Sequence, residues 1–266
     1  MIDQKSYTSA EKEISLLQLN IDNSGKIEDK TISNIINESK KILRKYFKTK
    51  LSLNTTQIPR GGKEDLNCDR HMQIFESHNI IPEYCFGCFK VLIEPNNVID
   101  LIKLHLLFDS LKFDNENFRK CMIEGRKNIE GNYKGFIYCN NLDEAEQILE
   151  FVSEEIKNKI NKDIICKIKR GCSEYGEIYP EYKNLRKNMM KYDTSWKIIE
   201  NNFDKQNNTN SKNLIKHTWG VTIKDILIFE NWITYAKTIG DESYKKICNI
   251  FYPVINCSSI ICSCEF

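Results

Sequence analysis

Residues 89–111 have the sequence FKVLIEPNNVIDLIKLHLLFDSL, in which two periodicities follow one another. Two sets of side chains alternate along the first six positions: Phe89, Val91 and Ile93 on one side, Lys90, Leu92 and Glu94 on the other. This two-residue period is typical of a β-strand, and Pro95 ends it because proline has no amide proton to donate. Apolar residues then recur at helical spacing: Val98, Ile99, Ile102, Leu106 and Leu107. The stretch predicts a strand followed by a helix.

The same two patterns continue as far as residue 171. Alternation predicts strands over 119–124, 134–139 and 163–170, and a second amphipathic helix is predicted over 141–156. Because β-α-β crossovers are right-handed, the six elements should pack as a four-stranded antiparallel sheet with both helices on one face. We therefore predict an α+β protein with a ferredoxin-like β-α-β-β-α-β core over residues 89–171.

The residues before the core divide into two regions. Residues 1–63 form a helical N-terminal region, with two helices in its first fifty residues. Within 51–66 the helical period is lost, and Pro59 and the following glycine pair predict a loop. Residues 64–88 are a candidate metal-binding segment that would form a small metal knuckle.

The residues after the core, 172–266, are predicted to be a helical region with a cysteine-containing tail. One helix is predicted over 185–203, and a second begins at a Thr222 capping box and ends at Gly240. In the tail, three cysteines form a loose set of potential metal ligands: Cys257, Cys262 and Cys264.

The composition excludes several classes of protein. With 41% hydrophobic and 29% charged residues, the chain can bury a core and does not resemble a disordered protein. The formal net charge of +2 provides no overall field for nucleic acid or a membrane surface. No apolar stretch is long enough for a membrane helix, and the eleven cysteines cannot all pair, so we expect a cytoplasmic protein in a reducing compartment. No P-loop, dinucleotide-binding glycine motif or H-E-x-x-H motif is present.

The candidate metal ligands are two closely spaced pairs, Cys68-Asp-Arg-His71 and Cys85-Phe-Gly-Cys88. Zinc prefers four tetrahedral sulfur or nitrogen ligands, and two residues between ligands let one turn present both to the same ion. The string Cys85-Phe-Gly-Cys88-Phe-Lys resembles the knuckle of treble-clef zinc modules. Four protein ligands leave no open coordination position, so the metal would be structural zinc. The alternative is that these are ordinary thiols in a cysteine-rich chain.

A second candidate is the sheet face that points away from the predicted helices. Alternation places six polar or aromatic side chains on it: Lys90, Glu94, Phe136, Tyr138, Lys167 and Lys169. The segment Tyr133-Lys-Gly-Phe-Ile-Tyr138 resembles part of the ribonucleoprotein consensus of RNA-recognition domains, although the first strand lacks the expected aromatic residue. This resemblance implies base stacking on aromatics and phosphate contacts from lysines. The alternative is that the C-terminal helices cover this face.

A third candidate is the basic end of the last strand with the glycine turn after it, Lys167-Ile-Lys-Arg-Gly-Cys-Ser-Glu174. The loop could bind an anion, and a neighbouring Arg170 would lower the pKa of Cys172. The favoured alternative is an edge strand protected by lysines and ended by glycine. Glu124 and Arg126, at the end of another strand, could join Glu94 as acid/base or anchoring groups.

The leading hypothesis from the sequence is a metal-stabilised binding protein for RNA or another anionic ligand. One alternative is an enzyme acting on a small phosphorylated or carboxylated substrate, and another is a protein-interaction module. A deep pocket containing Glu94, Glu124 and Arg126 would favour the enzyme, whereas a shallow basic face would favour RNA and a flat apolar face a protein partner.

Overall fold

The computed structural model describes residues 3–17, 25–62, 66–127, 129–207 and 220–247. Within these ranges helices accompany a five-stranded antiparallel sheet, which confirms the α+β prediction. The strands are β1 (Gln57–Arg60), β2 (Phe89–Glu94), β3 (Arg119–Ile123), β4 (Tyr133–Cys139) and β5 (Ile165–Arg170). The α-helices are α1 (Gln4–Ser15), α2 (Asp29–Tyr46), α3 (Cys68–His78), α4 (Glu83–Phe86), α5 (Val98–Ser110), α6 (Leu142–Lys159), α7 (Tyr175–Ile178), α8 (Trp196–Asn207) and α9 (Ile223–Ile239). None of the helices described is long and apolar enough to cross a membrane.

The strand order in the sheet is β1-β3-β4-β2-β5, and every neighbouring pair is antiparallel. The predicted strands are the last four in this order, and β2 lies between β4 and β5. Helix α5 connects β2 to β3, and α6 connects β4 to β5. Both helices share one apolar core with Val91, Ile93 and Ile137, so they cover the same face of the sheet.

The fifth strand was not predicted. Residues 51–66 were expected to form a loop, but Gln57–Arg60 pairs with β3 at the edge of the sheet. Proline is tolerated at an edge, where a missing amide donor removes no bond to a second neighbouring strand, and so Pro59 does not prevent pairing. The glycine pair ends the strand instead, because Gly61 and Gly62 both have positive φ angles.

The C-terminal helix α9 completes the layer on the helical face of the sheet. The predicted capping box forms, with Thr222 and Asp225 each accepting a backbone amide, and Gly240 ends the helix in the left-handed conformation. Helix α9 packs against α5 and β1, and the Trp232 indole donates a hydrogen bond to the carbonyl of Thr56 at 2.8 Å. This helix therefore does not cover the opposite, polar face.

The prediction of one helix over 185–203 is wrong in its first part, which lies beside a second, smaller apolar cluster. The helix begins only at Trp196, and the residues before it contain the one-turn helix α7 and a 3-10 helix, Pro180–Lys183. Tyr175 and Tyr182 are fully buried in the cluster, and the Tyr182 hydroxyl donates to the carbonyl of Cys85 at 2.6 Å. Within the predicted span, the Tyr192 ring packs against the Phe86 ring with their centres 5.5 Å apart, and the Met190 carbonyl accepts from Arg170 at 3.1 Å. These tertiary contacts override the local helical pattern.

Arg60 carries a buried positive charge that joins β1, α5 and α9. Its guanidinium donates to Asp109 at 2.8 Å, to the His105 imidazole at 3.0 Å and to Asp225. Arg60 is 4% exposed, while His105 and Asp225 are fully buried. Buried ion pairs are sensitive to loss of one partner, because the other charge then stays in a low-dielectric environment.

We expect Arg60→Met to lower the free energy of unfolding by about 3–5 kcal/mol, because Asp109 and Asp225 would stay buried without their partner. Urea denaturation measures this change. Lys41→Met is the matched control: it removes an exposed ion pair with Glu38 and should cost no more than about 1 kcal/mol. Equal effects of the two substitutions would contradict the structural role of Arg60.

Asp225 should make stability depend on pH. Burial alone raises the pKa of Asp225, but His105 and the Arg60 guanidinium outweigh burial and hold that pKa well below its usual range. A depressed folded-state pKa adds stability above the unfolded-state value, near pH 4, and this stability is lost as the pH falls. The difference in free energy of unfolding between the native protein and Asp225→Asn should therefore shrink from about pH 6 to about pH 3. A constant difference in urea denaturation across that range would refute this assignment.

Candidate functional site

The polar face of the sheet brings together side chains from four of its five strands: β3, β4, β2 and β5. Lys90 lies beside both predicted aromatic residues, its ammonium nitrogen 4.7 Å from the ring centre of Tyr138 and 5.9 Å from that of Phe136. In the strand register Lys90 stands opposite Tyr138 on one side and Lys169 on the other. Two lysines directly opposite each other on neighbouring strands repel, so this arrangement requires compensation.

Lys90 is buried, with 5% of its surface exposed. Its ammonium donates to the Cys172 sulfur at 3.6 Å. Burial on its own lowers the pKa of Lys90, but the Tyr138 hydroxyl and the surrounding thiols raise it well above its usual value. Lys90 is therefore a buried cation among weakly acidic groups.

Lys120 and Lys169 complete a group that we call the lysine triad: Lys90, Lys120 and Lys169. Burial and then repulsion by Lys90 lower the pKa of both, that of Lys169 to about 8. The Lys120 ammonium donates to the side chain of Gln57 at 3.2 Å, and that of Lys169 to the Ser173 hydroxyl at 2.7 Å. In the part of the chain that the structure describes, no carboxylate oxygen lies within 4.0 Å of a triad ammonium.

In two other groups of predicted site residues, acidic and basic side chains form ion pairs with each other. Glu94 forms ion pairs with Lys134 and with Lys167, the latter at 2.7 Å. Arg126 forms ion pairs with Glu124, at 2.7 Å, and with Glu174. The hydrogen bond to Glu124 is the main cause that raises the pKa of Arg126.

Glu94, Glu124 and Arg126 each have an ion-pair partner. Burial raises the pKa of Glu124, but hydrogen bonds from Arg126 and the charges of Arg126 and Lys134 hold that pKa below its usual value. Lys134, the partner of Glu94, therefore acts on both carboxylates.

Arg170 does not join the lysine triad and does not contact Cys172. Its guanidinium donates to the carbonyls of Phe86, at 3.0 Å, and Met190, at 3.1 Å, and lies over the ring of Tyr182. Burial lowers its pKa. The cation beside the Cys172 sulfur is instead Lys90, which the sequence placed on the sheet face without linking it to the loop.

All four predicted metal ligands line one small cavity, together with Cys172, Lys90 and Tyr175. We call this cavity, bounded by Cys68, His71, Cys85, Cys88 and Cys172, the thiol cavity. Its volume is about 10 Å³, roughly the space that one water molecule requires. The cavity can therefore hold a single ion or a single water, but not a substrate.

The walls of the thiol cavity come from three separate segments. Helix α3 begins at Cys68, and the single turn of α4 carries Cys85, whose sulfur lies 3.4 Å from the Tyr175 hydroxyl. The loop after β5 is held beside Cys88, because the Gly171 amide donates to the Cys88 carbonyl at 2.8 Å. Thus the fold adds Cys172 to residues that the sequence had paired locally.

Three thiols of the cavity, those of Cys68, Cys85 and Cys88, are harder to deprotonate than a thiol in water. Burial raises the pKa of Cys68 to about 11 and that of Cys85 and Cys88 above its usual value. The His71 ring stacks on the Tyr84 ring with their centres 5.2 Å apart. Among the described residues, no group of three or more His, Cys, Asp or Glu side chains is arranged to hold a metal ion.

The sequence missed two residues of this site. Lys120 follows Arg119 in β3 and stands opposite Phe136, so correct alignment of β3 with β4 would have placed it on the polar face. Cys172 was assigned to a separate loop, and no spacing rule relates it to the pairs before β2. The tail cysteines predicted as a loose ligand set lie outside the described residues.

Comparison with known protein families, with curated proteins and with solved structures gave no match.

Gly171 should be essential for the position of the loop that carries Cys172. It has φ 49°, a left-handed conformation, and a Cβ atom there would overlap the Tyr182 hydroxyl. We expect Gly171→Ala to lower the free energy of unfolding by about 1–3 kcal/mol in urea denaturation. Gly125→Ala is the matched control, because a Cβ at Gly125 meets no atom within 4 Å. Similar stability of both variants would argue against this role for Gly171.

Proposed function

We propose that this protein is a metal-stabilised binding protein for a small anionic ligand, whose phosphate or carboxylate group contacts the lysine triad. One observation carries the proposal: three lysines share one sheet face without a carboxylate within 4.0 Å among the described residues. Buried or partly buried cations that repel one another are unfavourable unless an anion compensates them. A bound anion would remove both the repulsion and the unpaired charge.

We propose a small anion rather than RNA as the ligand. Sequence-tolerant RNA binding uses exposed aromatic rings on which bases stack. Tyr138 is only 8% exposed, and its ring already contacts Lys90 and Phe118. Phe136 is half-buried. The proposal keeps the contacts between lysines and phosphate that the RNA hypothesis included. It does not include base stacking, because neither Phe136 nor Tyr138 is an exposed ring. Enzymatic turnover of the ligand and docking of a protein partner stay predictions from the sequence.

The metal part of the proposal is supported by the thiol cavity. Cys68, His71, Cys85 and Cys88 were predicted as ligands from spacing alone, and all four line that one cavity. We propose that a structural zinc ion there connects α3 and α4 to β2, where a four-ligand site would leave no position open for catalysis. Ion binding would require side-chain rotation, since the side chains are not arranged for coordination as they stand.

We also propose that the core belongs to the ferredoxin-like architecture. The order β2-α5-β3-β4-α6-β5 and the spatial order β3-β4-β2-β5 agree with that topology. Strand β1 would then be an addition at one edge. Since this architecture supports many unrelated functions, it does not itself favour one ligand.

Calorimetric titration with sulfate tests the anion proposal, because sulfate keeps its charge across the neutral and alkaline range. We expect Lys120→Met and Lys169→Met each to weaken binding by about tenfold or more, since each removes a charge-assisted hydrogen bond. Lys157→Met, an exposed lysine on α6, is the control and should bind like the native chain. Absence of sulfate, phosphate and pyrophosphate binding to the full chain would refute the proposal, as would unchanged affinity of both triad variants.

The pH dependence of sulfate binding adds a second readout. Lys169 has a pKa near 8, so native affinity should fall as the pH rises through about 8, and this step should be absent in Lys169→Met. The charged groups around it are Lys90, Arg126 and Glu174. If instead an RNA oligonucleotide binds with steep salt dependence and sulfate does not, the RNA hypothesis is favoured.

A further inference from the structure

Cys172 shares the thiol cavity although its place in the sequence gave no reason to group it with the other ligands. The ladder between β2 and β5 pairs Phe89 with Arg170, and the next residue, Gly171, is bound to the Cys88 carbonyl. Cys172 is thereby fixed next to the second half of the C-x2-C pair. The fold thus places four cysteines on the lining of one cavity, although no group of three or more described side chains is arranged to coordinate an ion before the side chains rotate.

The chemistry of the cavity favours a thiophilic ion. Thiolate ligands select zinc and related ions over magnesium or calcium, which prefer oxygen. Four thiolates and one Zn²⁺ carry a net charge of −2, whereas three thiolates and one imidazole carry −1. A centre of net negative charge needs a nearby cation when it is buried.

Lys90 provides that cation. Its ammonium lies 3.6 Å from the Cys172 sulfur, it is 5% exposed, and no carboxylate within 4.0 Å competes for it among the described residues. Hydrogen bonds to ligand sulfurs from outside the coordination shell stabilise metal centres. The position of Lys90 is therefore explained if the sulfur beside it is a ligand.

We infer that Cys68, Cys85, Cys88 and Cys172 hold one zinc ion, with Lys90 as its buried counter-charge and with His71 outside the ligand set. This inference rests on the metal part of the proposed function and changes its fourth ligand. Binding replaces the four thiol protons, which are released to solvent, with one Zn²⁺. The sulfurs move inward by rotation about their Cα–Cβ bonds. The ion then joins α3, α4 and the loop after β5.

Full-length native protein, Cys172→Ala, His71→Ala and the control Cys166→Ala test the ligand set. Cys166 is a partly buried cysteine of β5 that does not line the cavity. Zinc per chain is measured by elemental analysis, and cobalt substitution reports ligand type, because thiolate-to-cobalt absorption grows with the number of thiolates. We expect one zinc in the native chain, His71→Ala and Cys166→Ala, with the same four-thiolate cobalt spectrum. Cys172→Ala should lose stoichiometric metal.

Lys90→Met tests the counter-charge. It should weaken zinc binding by about 10–100-fold while leaving the cobalt spectrum unchanged, because it alters the surroundings and not the ligands. Circular dichroism verifies that each variant is folded. If Cys172→Ala misfolds, the cobalt spectrum of His71→Ala still decides between the two ligand sets.

The outcomes separate this inference from the proposed function. A metal-free native chain, even after incubation with zinc under reducing conditions, overturns both the metal proposal and the ligand set. If His71→Ala loses the metal while Cys172→Ala keeps it, the ligand set is wrong but the metal proposal stands. Unchanged zinc affinity in Lys90→Met overturns the role of Lys90 alone.

Discussion

A buried guanidinium determines how the helical layer meets the sheet. Arg60 lies at the end of β1 and reaches Asp109 in α5 and Asp225 in α9, so one charge connects an edge strand to two helices. Asp225 also closes the capping box that starts α9. The start of α9, its contact with the sheet and the pairing of β1 therefore depend on the same few charged atoms. Because α9 packs against α5 on this side, it does not cover the polar side chains of the other face.

Lys90 shows what happens to a buried cation without such partners. Arg60 has two carboxylates, whereas the nearest acidic groups to Lys90 are thiols and a tyrosine hydroxyl. Both residues lie in β-strands of one sheet, but within the described ranges only Arg60 of the two has carboxylate partners. A buried cation needs negative charge nearby, and on the helical face two carboxylates of the fold provide it for Arg60. On the polar face, the proposed anion or metal-thiolate centre would provide it for Lys90.

The two parts of the candidate site are physically connected through Lys90. It belongs to the lysine triad, and it also lines the thiol cavity beside Cys172. A metal bound in the cavity would therefore change the charge felt by the triad. The carboxylates of Glu94 and Glu124 each have a basic partner of their own.

The sequence by itself determined the elements with strong periodicity: the strands and helices over 89–170, the Thr222 capping box and the polar character of Lys90 and Tyr138. Local spacing was enough there because period and capping act within a few residues. Only tertiary structure decided that β1 pairs at the edge, that aromatic packing delays α8 to Trp196, and that Arg170 turns away from Cys172. The pairing of β2 with β5 places Cys172 next to the other thiols, and no local sequence pattern encodes this long-range pairing.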